Sequence, residues 1–399
     1  MNVASFGFLL LVLVGSAFFF ALPRGAARRA VLTILNAIFL WTLVPDLTTA
    51  GVLAAFLLSG FVAARVAMRW SSRWVLPGYL IALVAAFLVL KRYAFVAFAL
   101  PAALQTHTVV IVGLSYMLFR QIHFVVDAAQ GQLAKPSLWA YLNYQLNLFG
   151  ILSGPIQRYD SYATYWSDPV PMHRDQPALL RAYGRLFVGL FQLMVLGELC
   201  IELYQTAVAQ TGWHPLGRSL AIFYSYPAYV YLNFAGYCSI VIAAASLFGM
   251  TMPENFDRPY VARNMIDYWN RWHISLSHWI RDYIFTPLYK ALVMRWSKGA
   301  TAFGPLCFFV AFLIAGVWHG STLNFVYFGV ANGIGVSLAK MWENRLVKKR
   351  GRKGFKEYLK SKPVHAVATV VTFHYACASI QFFPPDLAGL RAILGYLSS

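Results

Sequence analysis

Carboxylates are scarce in this 399-residue chain: 14 Asp and Glu stand against 33 Lys and Arg, and charged residues of all kinds make up 12%. A soluble domain carries about 25% charge, so there is too little here to cover a water-facing surface. With 59% hydrophobic residues and a mean hydropathy of +0.58, the composition is that of a membrane protein. Cysteine is sparse as well. Cys200, Cys238, Cys307 and Cys377 sit in apolar runs without Cys-x-x-Cys or Cys/His spacing, so they give no zinc pattern and no disulfide framework and read as small hydrophobes. No metal site is expected. No Ser or Cys falls in a nucleophile-elbow pattern, which argues against a covalent acyl-enzyme. There is no glycine-rich phosphate loop. No internal repeat marks a transporter, and the longest polar interruption, 160–177, is too short to bury a core of its own.

What is present is a series of apolar runs: 3–22, 31–44, 50–68, 75–90, 93–104, 109–126, 138–156, 179–204, 220–235, 239–250, 303–317, 323–341 and 364–382. A span needs about 20 apolar residues, and some of these runs are short, so about eleven spans are expected. The first run has no Lys or Arg before it and reads as a retained span rather than a secretion signal. Arg24, Arg28 and Arg29 follow the first run, and Arg65, Arg69 and Arg73 follow the third. By the positive-inside rule those loops and the basic run 345–362 are cytoplasmic, and the net charge of +19 reflects topology and anionic headgroups, not nucleic acid. A single membrane domain is expected, with N-terminal helices at 1–108, a core at 109–342 and a basic loop with C-terminal helices at 343–399.

Three polar patches interrupt the apolar pattern. In LSGPIQRYDSY, 152–162, Gly154-Pro155 breaks a helix and Arg158 follows at its polar end; a snorkelling arginine explains it as well as a binding site does. In 267–283, Asp267, Asn270, Arg271, His273, Ser277, His278, Arg281 and Asp282 crowd together. A helix beginning near Asn264 would put Asp267, Asn270, Ile274, Ser277 and Arg281 on one face, with Trp269, His273, Leu276 and Ile280 beside it. An interfacial helix would account for the aromatics and arginines but not for His273 and the serines. In GVWHGSTLNF, 316–325, His319 ends an apolar run between Gly316 and Gly320. An imidazole titrates near neutrality and can relay a hydroxyl proton to a leaving group, and the glycines would let a substrate approach closely.

These segments, with IVGLSYMLFRQIHFVVDAAQG at 111–131 and PENFDRPY at 253–260, resemble the membrane-bound O-acyltransferase family, in its bacterial branch of alginate O-acetylation and teichoic-acid D-alanyl transfer proteins. The resemblance runs from about Val109 to Val336, and its order, spacing and long WNRWHISLSHWIRDY match are specific. It implies an all-α polytopic fold, a funnel with re-entrant helices, in a bacterial cytoplasmic membrane. It implies that His319 corresponds to the essential histidine and His273 to a second conserved polar position. Asn270 and Ser277 would then orient substrate or an oxyanion, with Trp269, Trp318, Arg158, Arg281 and Asp267 as further substrate contacts. No permanently bound cofactor is implied. The donor would be a cytoplasmic thioester, acyl-CoA such as acetyl-CoA or an acyl carrier protein, with Arg258, Arg263 and Arg271 as candidates for its phosphates. The acceptor would be a hydroxyl of an envelope or secreted polysaccharide, reached directly or through a periplasmic acyl-relay protein. A small-molecule, lipid or protein acceptor, or a transporter or scaffold without activity, are the alternatives. The chain departs from the branch at 233–239, where NFAGYCS replaces an acidic run resembling DFSGYSD, and at Pro384, where an Arg is common.

Overall fold

The computed structural model describes residues 2–23, 25–70, 74–93, 111–170, 176–210, 212–296, 300–384 and 386–397. Apart from Tyr93, the apolar run 93–104 lies outside the described residues, as do Arg24 and Arg73 of the basic loops. Every named element among the described residues is helical, with one isolated bridge between Phe256 and Trp272. Among the described residues the fold is therefore all-α, as the family resemblance implies. In order, the helices are α1 (Phe6–Ala21), α2 (Ala26–Trp41), α3 (Leu47–Arg69), α4 (Val75–Leu90), α5 (Leu114–Ala129), α6 (Leu138–Gln145), α7 (Tyr159–Ser167), α8 (Gln176–Phe191), α9 (Gly197–Ala209), α10 (Pro215–Leu247), α11 (Met265–Trp269), α12 (Ile274–Ile280), α13 (Thr286–Arg295), α14 (Ala300–His319), α15 (Leu323–Lys360), α16 (Lys362–Ile380) and α17 (Ala388–Leu397).

Five described helices are long and apolar enough to cross a membrane: Leu47–Arg69, Pro177–Ala209, Pro215–Leu247, Thr301–His319 and Lys362–Ile380; α1 and α4 are apolar but shorter. The pattern differs from the run-by-run reading in places with clear causes. The runs 220–235 and 239–250 are one helix, α10, which continues through Pro227. A proline lacks the N–H that would bond the carbonyl four residues earlier, and here Gln381 Nε2 donates to that carbonyl, Phe223 O, at 3.1 Å. Pro305 in α14 is handled alike: Asn344 Nδ2 donates to Thr301 O at 3.2 Å. Run 138–156 is not a span, because α6 stops at Gln145. The basic run 345–362, expected as a loop, is helical, since Lys, Arg, Leu and Glu are good helix formers. It is hinged at Gly351, whose φ of 66° glycine tolerates.

The described residues group into two compact units. The first, 1–193 with 236–253, has a polar heart. Arg120, 1% exposed, donates from Nη1 to the carbonyls of Tyr144 and Gln145, both at 3.1 Å, and lies over the Tyr144 ring. The Tyr144 hydroxyl donates to Gln157 O at 2.8 Å and sits 2.6 Å from His123 Nε2. Buried charge of this kind is tolerated only when hydrogen-bonded, and Gly150 makes the room, since a Cβ there would overlap the guanidinium.

The second unit, 194–235 with 254–399, is organised on the hairpin of α14 and α15. Ideal Cβ positions explain its closeness: one added at Gly316 would lie 2.5 Å from Gly329 Cα and 2.5 Å from Phe325 O. Ser337 Oγ donates to Pro305 O at 2.7 Å further along the seam. Glycine faces of this sort let helices approach to backbone contact in a membrane.

Candidate active site

His319 is the last residue of α14, so its height and direction are set by the hairpin. Its ring is walled by aromatics: Trp318 at 4.8 Å, Phe383 at 5.2 Å and Phe328 at 5.6 Å between centroids. Phe383 belongs to the segment after α16, which Asn324 ties to the hairpin by donating to Pro384 O at 3.0 Å. Among the described residues no hydrogen bond reaches the His319 imidazole. Gly316 and Gly320 do not open space for a substrate. The volume beside Gly316 is filled by Gly329 and Phe325 O, and that beside Gly320 by the Phe325 ring.

The polar run at 267–283 is not the single amphipathic helix that its pattern predicts. α11 ends at Trp269, His273 takes the left-handed conformation (φ 45°, ψ 51°), and α12 starts at Ile274. A non-glycine residue there costs about 1–3 kcal/mol and persists only where its surroundings enforce it. Asn255 does so. Its backbone oxygen accepts from Ile274 N at 3.0 Å, and its Oδ1 accepts from Ser275 N at 3.1 Å and Ser275 Oγ at 2.6 Å. Asn255 is 1% exposed, and the Phe256–Trp272 bridge pins the other side of the turn. Helical i, i+4 logic fails here because a neighbouring segment supplies better partners than the next turn would. The imidazole of His273 is buried, with its ring 4.7 Å from Phe234, edge to face. A charge on His319 would be felt at His273, so the two histidines lie within electrostatic reach.

The other predicted site residues have varied surroundings. Trp269 is buried and donates from Nε1 to Asn332 Oδ1 at 3.2 Å, its ring 4.8 Å from Phe312, which anchors α11 on the hairpin. Ser277 Oγ donates to Trp272 O at 3.3 Å, capping the same turn. Asn270 is exposed and lines a cavity between α11, α15 and α16. Asp267 bonds Arg271 at 3.0 Å and Arg263 at 3.4 Å. Burial pushes its carboxyl up, but the Arg263 backbone N–H and the Arg271 guanidinium outweigh that and hold it below its usual range. Arg258, Arg263 and Arg271 are each paired with Asp257 or Asp267. Arg281 pairs with Asp282 at 2.9 Å in an exposed position. Arg158 belongs to the first unit, where it precedes α7 and its charge is felt by His123. Asn255, Asn332 and Phe383 were not singled out from sequence; Asn255 stands inside PENFDRPY, and only its long-range partners reveal its task.

The family model for MBOAT, the membrane-bound O-acyltransferase family, matches residues 57–355, which include both histidines and the hairpin. The chain belongs to that family. It is therefore a multi-pass membrane enzyme that transfers acyl groups. The teichoic acid D-alanyltransferase of Bacillus subtilis (strain 168) is 26% identical over 329 residues, 82% of this chain and 81% of that one. Its counterpart in Streptococcus thermophilus is 29% identical over 283 residues, 68% and 67% of the two chains. The probable alginate O-acetylase AlgI of Pseudomonas aeruginosa is 25% identical over 298 residues, 70% of this chain and 53% of that one. In this O-acyltransferase, an imidazole without a hydrogen bond among the described residues ends an apolar helix long enough to span, and a second imidazole, held in a strained turn, senses its charge. Such a pair can take a proton from a hydroxyl and stabilise charge on a carbonyl oxygen.

Proposed function

We propose that this enzyme moves an acetyl group from a cytoplasmic thioester, acetyl-CoA, to a hydroxyl of an envelope or secreted polysaccharide, in the bacterial inner membrane. His319 takes the hydroxyl proton as the oxygen attacks the thioester carbonyl. The carbonyl oxygen gains negative charge beside His273, the C–S bond breaks, and the proton passes to the departing thiolate. The observation that carries this reading is the His319 imidazole at the end of α14, free of hydrogen bonds among the described residues and walled by aromatic rings. Its aromatic walls of Trp318, Phe328 and Phe383 suit a small uncharged acyl group. The acceptor is reached directly or through an extracytoplasmic relay protein.

The test uses the purified full chain in proteoliposomes. It follows thiol release from acetyl-CoA and from an acetyl carrier protein, with candidate polysaccharides on the opposite side. Acceptor-dependent release from acetyl-CoA that disappears in His319→Ala is the expected result; absence of release with every acetyl donor would sink the reading. A second reading, D-alanyl transfer, is favoured by coverage: the Bacillus subtilis relative matches over 81% of its length, the Pseudomonas aeruginosa one over 53%. Release from a D-alanyl carrier protein but not from acetyl-CoA would select it.

A further inference from the structure

The second unit has a cavity that the proposed chemistry does not use. It measures about 1000 Å³ and opens between α11, α15 and α16, at the top of the roughly 300–1,000 Å³ range of small-ligand sites. Its walls are mainly hydrocarbon. Leu338 and Trp342 of α15 and Val367 and Val371 of α16 line it and are 55%, 54%, 65% and 62% exposed. Because α16 is long and apolar enough to cross a membrane, these exposed apolar side chains on the cavity wall suit lipid tails.

The segment that borders the cavity is cationic. Past the Gly351 hinge, Phe355, Tyr358 and Leu359 line the cavity, while Lys356, Lys360 and Lys362 beside them are exposed. Arg350 lies 5.4 Å over the Tyr358 ring. The carboxylates on the cavity wall are already matched, Asp267 by Arg263 and Arg271 and Glu343 by Lys340. The segment 345–362 carries 9 Lys and Arg against Glu357 alone. Basic segments at a membrane surface recruit anionic headgroups, and an amphipathic element adds apolar burial to that attraction.

We propose that this cavity binds one anionic phospholipid from the leaflet on the side of the basic arm. An acyl chain lies between α15 and α16, and the phosphate sits among Arg350, Lys356, Lys360 and Lys362. A coenzyme A molecule would also offer phosphate, but it would lay its polar pantetheine arm against Val367 and Val371.

The test takes the full chain in mild detergent, exposed to phosphatidylglycerol or to phosphatidylcholine, and reads bound lipid by native mass spectrometry together with the melting temperature. One phosphatidylglycerol should be retained per chain and should raise the melting temperature by about 2 °C or more over phosphatidylcholine. Ala368→Trp, which sets an indole into the cavity wall of α16, should lose the retained lipid. The combined Lys356→Glu, Lys360→Glu and Lys362→Glu variant changes only exposed side chains, and it should lose the preference for the anionic headgroup. Equal retention of the two lipids by the unmodified chain, or an unchanged preference in the charge variant, overturns the proposal. Displacement of the retained lipid by coenzyme A overturns it in favour of a donor site.

Discussion

At the scale of single residues, the two histidines stand in different surroundings, and the proposed roles differ accordingly. His319 is bordered by rings and has no hydrogen bond among the described residues, so His319→Ala should remove the proton acceptor and little else. Transfer should fall by roughly 10²–10⁴-fold, with the melting temperature near wild type, in a thiol-release assay run beside thermal unfolding; retention of most activity would end the assignment. His273 depends on a neighbour. Asn255→Ala removes the Oδ1 that accepts from Ser275 N and Oγ and should cost about 1–3 kcal/mol of stability. Because it frees the turn at His273, kcat should drop while KM for the donor stays close to wild type. Asn255→Asp keeps an acceptor for both Ser275 groups, so its kcat should recover towards wild type even though the buried carboxylate lowers stability; a purely structural role would show equal kcat in all three proteins. Sequence patterning found His319 and His273 as polar residues in apolar company. It missed Asn255, whose partner lies 20 positions away and leaves no periodic trace.

At the scale of helices, the seam between α14 and α15 sets where His319 stands. Gly316→Ala would place a methyl group 2.5 Å from Gly329 Cα, a distance that backbone cannot yield without separating the helices. A loss of several degrees in melting temperature together with reduced transfer is expected, measured by thermal unfolding and thiol release. Gly184→Ala in α8 is the control. Nothing lies within 4 Å of a Cβ there, and replacing a helical glycine should stabilise by up to about 1 kcal/mol. Similar melting temperatures for the two variants would refute the seam. Hydropathy located α14 well because a span needs only composition. It divided α10 in two because Gly236-Tyr237-Cys238 looks like a break, and it joined α11 to α12 because an i, i+4 stripe ignores competition from Asn255.

At the scale of the whole molecule, composition alone established a membrane protein, since 12% charge cannot solvate a surface of this size. Sidedness rests on the distribution of Lys and Arg. A cysteine in place of Arg352, on the exposed basic arm, should react with an impermeant maleimide only after permeabilisation. One in place of Leu47, 91% exposed at the start of α3, should react in intact cells. The reverse labelling pattern would invert the proposed direction of acyl flow. The division into two units was not legible in the sequence, because the boundary at 235/236 falls inside the single helix α10, with 194–235 in one unit and 236–253 in the other.

The hydrogen bond from Gln381 to Phe223 O spans 158 positions, and it bears on the order of biogenesis. Until residue 381 has left the ribosome, the carbonyl that Pro227 orphaned has no side-chain partner, and an unsatisfied backbone group in lipid costs several kcal/mol. A nascent chain that already contains α10 is therefore committed to waiting for its C-terminal end. Chains arrested before residue 381 should be cleaved near Pro227 under limited proteolysis that leaves the finished protein intact, and quality-control proteases would have a physical basis for telling one from the other.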